Sequence, residues 1–207
     1  MVFLVKTPNA LKPFTADLLW SIDQTQNVVY LTFDDGPTRD ITPKILDILD
    51  AYNAKATFFC IGGNVKSNPD VYSDILRRGH RTGNHTWNHM NGWEYSDFSY
   101  FRNILECSEL VHSTLFRPPY GRIKPSQINS LKKHYTIVMW DVLSGDWSAS
   151  VSPEKCLSNV NNNTRSGSIV VFHDSEKAEK NMLYTLPRAL KHLSEKGFVF
   201  QVLPDEY

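Results

Sequence analysis

A chain of 207 residues, 41% hydrophobic and 12% aromatic, is long enough for one sizeable core and lies within the range of a single α/β domain. Its 22 basic side chains match its 22 acidic ones, which excludes a net field favouring nucleic acid or an anionic membrane. Three scattered cysteines, Cys60, Cys107 and Cys156, are too few for a disulfide framework and are expected as buried thiols.

The chain starts MVFLVKTPNALKPF, an apolar run broken at once by Lys6 and Pro8. That is neither a signal-peptide core nor a membrane span, and no later run approaches the ~18 residues a span requires. The expected location is cytoplasmic by default, with peripheral membrane association as the alternative. Residues 1–26 place Leu11, Phe14, Leu18, Leu19 and Trp20 at loosely helical spacing, which predicts an N-terminal arm packed on a domain of residues 27–207.

Val28 to Pro37, VVYLTFDDGP, is an apolar run of strand length that ends in two carboxylates and a Gly-Pro turn. Successive side chains on extended backbone point to opposite sides, so Asp34 and Asp35 are expected to hold separate tasks. Ile41, Ile45, Ile48, Leu49 and Tyr52 then share a helical face, with Asp40 placed as cap, and Lys55 to Ile61 is a buried strand. Strand, helix, strand is the unit of a parallel sheet.

The pattern continues with helices at 69–78, 99–115, 125–133, 153–161 and 184–196. Strands are expected at 80–84, 115–117, 135–141, 168–172 and 198–203. Alternation over the whole length, with about seven parallel strands and no glycine-rich phosphate loop, predicts an α/β fold of the incomplete (β/α) barrel kind. Asp34-Asp35, Arg117-Pro118-Pro119-Tyr120, Asp141 and His173-Asp174 all fall at carboxyl ends of strands, where a barrel gathers its working residues.

His85 and His89 stand four apart, a spacing that on a helical turn stacks both rings on one face. Alone the pair is a weak signal. With Asp35 it makes two imidazoles and a carboxylate, three ligands suited to zinc or a similar divalent ion with a position left for water, the layout of a hydrolytic site. His173 at a strand end, Asp146 beside Trp147, and Arg117 ahead of a rigid Pro-Pro turn each have an ordinary structural reading when taken singly.

Taken together, TFDDGP (Thr32 to Pro37), HTWNH (His85 to His89), RPPYG (Arg117 to Gly121), DVLSGDW (Asp141 to Trp147) and VVFHD (Val170 to Asp174) closely resemble the polysaccharide deacetylases of the NodB-homology type, carbohydrate esterase family 4. The resemblance runs from about Asn27 to Leu203. It implies an incomplete, distorted (β/α) barrel and removal of N-acetyl groups from N-acetylglucosamine units of a peptidoglycan- or chitin-like glycan. Position by position, it implies Asp34 as general base, Asp35, His85 and His89 as ligands of one divalent ion (zinc first, then cobalt or nickel), and His173 as general acid. It further implies that Arg117 orients the base, Asp146 orients and charges His173, the Tyr120 N–H holds the oxyanion, and Trp147 and Val171 wall the acetyl pocket. Leu is usual where Val171 stands. Other readings are hydrolysis of another linear or cyclic amide, and a non-catalytic glycan-binding module. Trp87, Trp93 and Tyr95 are candidates for stacking on sugar rings.

Overall fold

The computed structural model describes residues 4–8, 15–23 and 25–204. Leu11 and Phe14, part of the expected arm, lie outside the described residues, as do 205–207 at the end of the expected domain. Among the described residues nine strands form one sheet: β1 (Leu18–Leu19), β2 (Val28–Asp34), β3 (Ala56–Cys60), β4 (Arg81–Asn84), β5 (Leu115–Phe116), β6 (Thr136–Val138), β7 (Val142–Leu143), β8 (Ile169–His173) and β9 (Val199–Phe200). Eight run in the order β1-β6-β5-β4-β3-β2-β8-β7, and β9 pairs with the start of β2. All the strand pairs are parallel, and β1 and β7 end the path without pairing, so the barrel is incomplete.

The helices are α1 (Thr42–Ala51), α2 (Gly62–Ser67), α3 (Pro69–Arg77), α4 (Asp97–Ser108), α5 (Pro125–Leu131), α6 (Pro153–Asn163) and α7 (Glu179–Glu195). Asp40 does not cap α1. Its first residue, Thr42, instead bonds back to Thr38, which donates its own N–H to the Thr42 hydroxyl at 2.8 Å. Gly79 and Gly197 follow α3 and α7 with φ of 77° and 80°, the left-handed conformation in which glycine ends a helix at least cost. No helix among the described residues is long and apolar enough to cross a membrane.

The seven expected strands are present, and two more arise for separate reasons. The run 135–141 is strand only over β6, because the chain leaves β6 after Val138, and β7 forms just beyond the run, where Val142 and Leu143 pair with β8. Leu18 and Leu19, read as loosely helical, extend against Ile137 and Val138 of β6. Ser21 and Lys6 then bridge to Ser168 and Val142, so arm residues span the seam between β6 and the β7–β8 edge. Gly167 lies so close to that arm that a Cβ would meet the Ile22 carbonyl oxygen at 1.7 Å.

Alternation along β2 separates two environments. Val29, Leu31 and Phe33 face the helices, where Phe33 stacks on Phe58 and Phe172 at centroid distances of 5.0 and 5.8 Å. Val28 and Tyr30 face the opposite way and join Leu19, Phe59, Leu115, Val138 and Ile169 in an apolar plug. Thr32 and Asp34 continue that inner face, in register with Val171 and His173 of β8. The barrel interior is therefore apolar at one end and polar where the strands stop.

Candidate active site

Asp34 ends β2, and its Oδ1 accepts from the Arg117 guanidinium at 2.7 Å. Arg117 is fully buried and satisfied at every corner. It donates to Thr32 Oγ1 at 2.8 Å and to the carbonyls of Met139 at 2.8 Å and Val138 at 3.3 Å. Its guanidinium carbon lies 4.1 Å from the centre of the Phe59 ring. Phe59 has room for that stacking because residue 83 is glycine: a Cβ there would lie 2.5 Å from the ring. A buried charge is tolerable only when paired and hydrogen-bonded in this way.

Asp35 leaves the strand with φ of 86°, and its carboxylate is delivered away from that of Asp34. Asn64 fixes the turn by donating to the Asp35 carbonyl at 2.6 Å. Asp35 Oδ1 lies 3.8 Å from His85 Nε2 and 3.3 Å from His89 Nε2. The two histidines meet through a turn rather than a helix, with φ of 65° at Thr86 and 60° at His89, and their ring centroids are 5.0 Å apart. That turn is built by Asn84, whose Oδ1 accepts from Thr86 N–H at 2.9 Å, and by Asn103, which accepts from Trp87 N–H at 2.9 Å.

These three side chains fit a divalent ion. Their donor atoms all lie within 4.8 Å of one another. Ligands ~2.0–2.2 Å from a tetrahedral ion stand about 3.4 Å apart by elementary geometry. His85 Nδ1 lies 2.7 Å from the Arg117 carbonyl, which can only accept, so the proton is on Nδ1 and Nε2 offers its lone pair toward Asp35. Burial holds His85 below the ordinary imidazole value, and burial with the neighbouring His85 holds His89 at about 4, so both rings are neutral at pH 7. Burial pushes Asp35 up, but His173, His85 and His89 outweigh it and the net shift is downward. Asp35 Oδ1 is buried without a hydrogen-bond partner, a costly state that a cation relieves.

His173 closes β8 in register with Asp34. Asp146, fully buried, meets it twice, accepting from the backbone N–H at 2.8 Å and lying 2.8 Å from ring Nδ1. Burial alone lowers the His173 pKa, but the Asp146 charge and hydrogen bond, with Asp35 and Asp34 behind them, raise it to about 9. Trp147 lies over the His173 ring at 4.8 Å. Val171 is buried two residues before His173, on the same side of the strand. Tyr120, in a short 3-10 turn (Pro119–Gly121), has φ of 60°, and its ring meets His89 edge-on at 4.5 Å.

Asp174, placed by the sequence at a strand end but given no role, has one in the structure. It is buried, and its carboxylate accepts from Gly36 N–H at 2.8 Å and from the Thr42 hydroxyl at 2.6 Å, tying the turn after Asp35 to α1. Gly36 is packed onto it so tightly that a Cβ would fall 1.8 Å from its Oδ2. Burial pushes Asp174 up to about 7. Its place next to His173 at a strand end was the only signal available. Thr32 lay inside the TFDDGP motif without a role of its own, and Asn84, Asn103 and Phe59 carried no signal. Of the sugar-stacking candidates, Trp87 packs on the core and on Gly62, while Trp93 and Tyr95 are exposed. The three cysteines are free and buried, with Cys107 and Cys156 each pushed up to about 12 by burial.

The family model described as polysaccharide deacetylase matches residues 21–137. A peptidoglycan-N-acetylglucosamine deacetylase of Bacillus cereus is 34% identical over 194 residues, covering 90% of this chain and 91% of that protein. A chitooligosaccharide deacetylase of Azorhizobium caulinodans is 30% identical over 202 residues, covering 88% and 96%. The crystal structure of a peptidoglycan N-acetylglucosamine deacetylase in complex with 4-naphthalen-1-yl-N-oxidanyl-benzamide superposes with a TM-score of 0.88 at 32% identity, covering 96% of this chain and 95% of that one. A family 4 carbohydrate esterase from Streptomyces lividans, solved with acetate, gives 0.77 at 27% identity, covering 86% and 94%. On the fold, the motifs and these matches over nearly its whole length, the chain belongs to the polysaccharide deacetylase family.

Proposed function

We propose that this chain hydrolyses the acetamido group of N-acetylglucosamine units in a peptidoglycan- or chitin-like glycan, releasing acetate and a free amino sugar. The observation that carries this reading is the register of β2 with β8, which sets Asp34, clamped by Arg117, directly beside His173, clamped by Asp146, next to the Asp35, His85 and His89 donor set. An amide is a poor electrophile and an amine a poor leaving group. Base, acid and charge stabilisation are therefore needed in one place.

Asp35, His85 and His89 would hold a divalent ion, zinc first and cobalt or nickel as substitutes. Such an ion supplies Lewis acidity, polarising a carbonyl and lowering the pKa of water from 15.7 toward ~7. Asp34 serves as general base; Arg117 occupies its Oδ1 and leaves Oδ2 to take the proton of the attacking water. His173, its pKa raised to about 9, donates to the departing nitrogen, since Asp146 accepts a hydrogen bond from Nδ1–H and leaves Nε2–H for the substrate. Each such transfer is typically worth about 10²–10⁴-fold. The Tyr120 backbone N–H would receive the developing oxyanion, a donor typically worth about 3–4 kcal/mol. Trp147 and Val171 would line the acetyl pocket.

We also take residues 1–26 as an arm integral to the domain of residues 27–207, a reading supported by the pairing of Leu18–Leu19 with β6 and by the Lys6–Asp141 ion pair. The test of function is an acetate-release screen over N-acetylated glycan oligomers with zinc and cobalt. Ring opening of small cyclic amides without acetate release would replace the substrate class. Metal uptake without turnover on any of these would favour a glycan binder.

A further inference from the structure

Tyr120 and Gly121 follow each other with φ of 60° and 66°, two left-handed residues in succession. For a side chain as large as tyrosine that backbone is uncommon, and it persists only where the surroundings impose it. Pro118 and Pro119 stiffen the approach, and the N–H groups of Gly121 and Arg122 return to their carbonyls at 3.0 and 3.1 Å. A further constraint comes from outside the turn. A Cβ on Gly121 would lie 2.5 Å from Trp140 Cη2, 3.3 Å from its Cζ2 and 3.2 Å from Met139 Cε, so the turn rests on the far edge of the Trp140 indole.

Trp140 stands in the link between β6 and β7, and the N-terminal arm grips that link by main chain and side chain alike. Met139 N–H donates to the Leu19 carbonyl at 2.7 Å, and Thr7 N–H donates to the Asp141 carbonyl at 3.0 Å. The Thr7 hydroxyl donates to the carbonyl of Trp140 itself at 2.8 Å. Lys6 Nζ reaches the buried Asp141 carboxylate at 2.5 Å and the Asn163 carbonyl at 2.7 Å. The Trp20 ring meets that of Trp140 edge-on, with centroids 6.4 Å apart, and its indole N–H donates to Thr15 Oγ1 at 2.8 Å. The arm thus holds the ring on which the Tyr120 turn rests.

Resting on the reading above in which the Tyr120 N–H receives the oxyanion, we propose that Trp140 is a positioning residue for that N–H, and that Trp20 and Thr7 of the arm act through it. An oxyanion donor is effective because it is fixed before the charge develops; a donor that swings must reorganise during the reaction and loses much of its advantage. The indole fills the space beneath Gly121, so the turn has no room to relax on that side. The same link gives the Val138 and Met139 carbonyls to Arg117, so it supports the base on one flank and the oxyanion donor on the other. The arm therefore contributes to turnover through a ring that itself stands behind the reacting groups.

The test uses Trp140→Phe, which removes the ring edge under Gly121 but keeps an aromatic side chain and the carbonyls that hold Arg117. In the zinc-loaded enzyme acting on the tetramer of N-acetylglucosamine, kcat is expected to fall about tenfold with KM unchanged, less than the about 10²–10³-fold of a donor removed outright. An unchanged kcat overturns the proposal. Gly121→Ala carries its left-handed strain in either background, so comparing its loss of kcat in wild type and in Trp140→Phe isolates the contact. A smaller loss in Trp140→Phe supports the proposal, and an equal loss overturns it. Trp20→Ala is expected to lower kcat about threefold in the same way; no change there removes the arm from the proposal. A readout without turnover is the NMR order parameter of the Tyr120 amide in the metal-free protein, expected to fall in Trp140→Phe from about 0.85 toward about 0.6. An unchanged order parameter overturns the positioning role, whereas absence of acetate release from wild type counts against the deacetylase reading alone.

Discussion

Asp146 grips His173 with both carboxylate oxygens, Oδ2 on the backbone N–H and Oδ1 at ring Nδ1, each at 2.8 Å. One contact fixes where the ring stands, and the other fixes its tautomer and its charge. With the folded pKa raised to about 9, the imidazolium is present at neutral pH and is lost as pH rises through that value.

Asp146→Asn keeps an acceptor but removes the charge, so burial then dominates and the His173 pKa falls. The expected result is an alkaline limb of the kcat/KM profile that moves from near 9 to lower pH, with a loss at pH 7.5 that reaches about 10²–10⁴-fold where the acid is fully deprotonated. A pH–rate profile checks it. An unshifted alkaline limb would remove His173 from the role of acid.

The two acids of the opening motif separate by variant. Asp34→Asn is expected to retain one bound zinc per chain and lose about 10²–10⁴-fold in kcat, since the amide still accepts from Arg117 but takes no proton. His85→Ala is expected to lose metal and turnover together. Zinc content measured beside acetate release decides between these outcomes, and full activity in Asp34→Asn would defeat the base assignment.

Asp174 makes the metal-free protein sensitive to pH. Its folded pKa of about 7 is above the ordinary 3.8, so the folded state holds this proton more tightly than the unfolded chain. The stability it contributes is therefore complete below about 3.8 and is lost as pH rises through about 7. His173 acts with the same sign at higher pH, between its ordinary 6.5 and about 9. Asp174→Asn removes only the first window. Urea unfolding at pH 4.5 and 7.5 in the presence of a chelator should show a smaller pH difference in the variant than in wild type.

Gly83→Ala tests the packing under the base. The new methyl would meet the Phe59 ring at 2.5 Å and push it into the Arg117 guanidinium. Overpacking of this kind costs about 1–3 kcal/mol, and displacement of Arg117 carries into kcat. Thermal unfolding and steady-state rates on one preparation check both effects. A variant as stable and active as wild type would show the ring to be freely movable.

The strands were legible in the sequence because buried parallel strands are continuous apolar runs, as in VVYLTFD and IVVFH, and the helices because Gly79 and Gly197 punctuate their ends. The motifs at the carboxyl ends of those strands placed Asp34, Asp35, Arg117 and His173 at one mouth, since in a parallel barrel every strand ends on the same side. Local pattern decides these features, and local pattern is what a sequence displays.

Other features depend on partners far away in the chain. His85 and His89 meet through a turn held by Asn84 and Asn103, and not through the helix that their spacing suggested. Leu18 and Leu19 became a strand because β6 offered an unpaired edge 119 positions later, counted from Leu18 to Ile137. Asp174 acquired its place from Gly36 and Thr42, and Arg117 from a phenyl ring for which a glycine on the next strand makes room. Register and close approach between distant segments set these relationships. Their energies come from burial and hydrogen bonding that exist only once the sheet has curled, so the tertiary structure alone decided them.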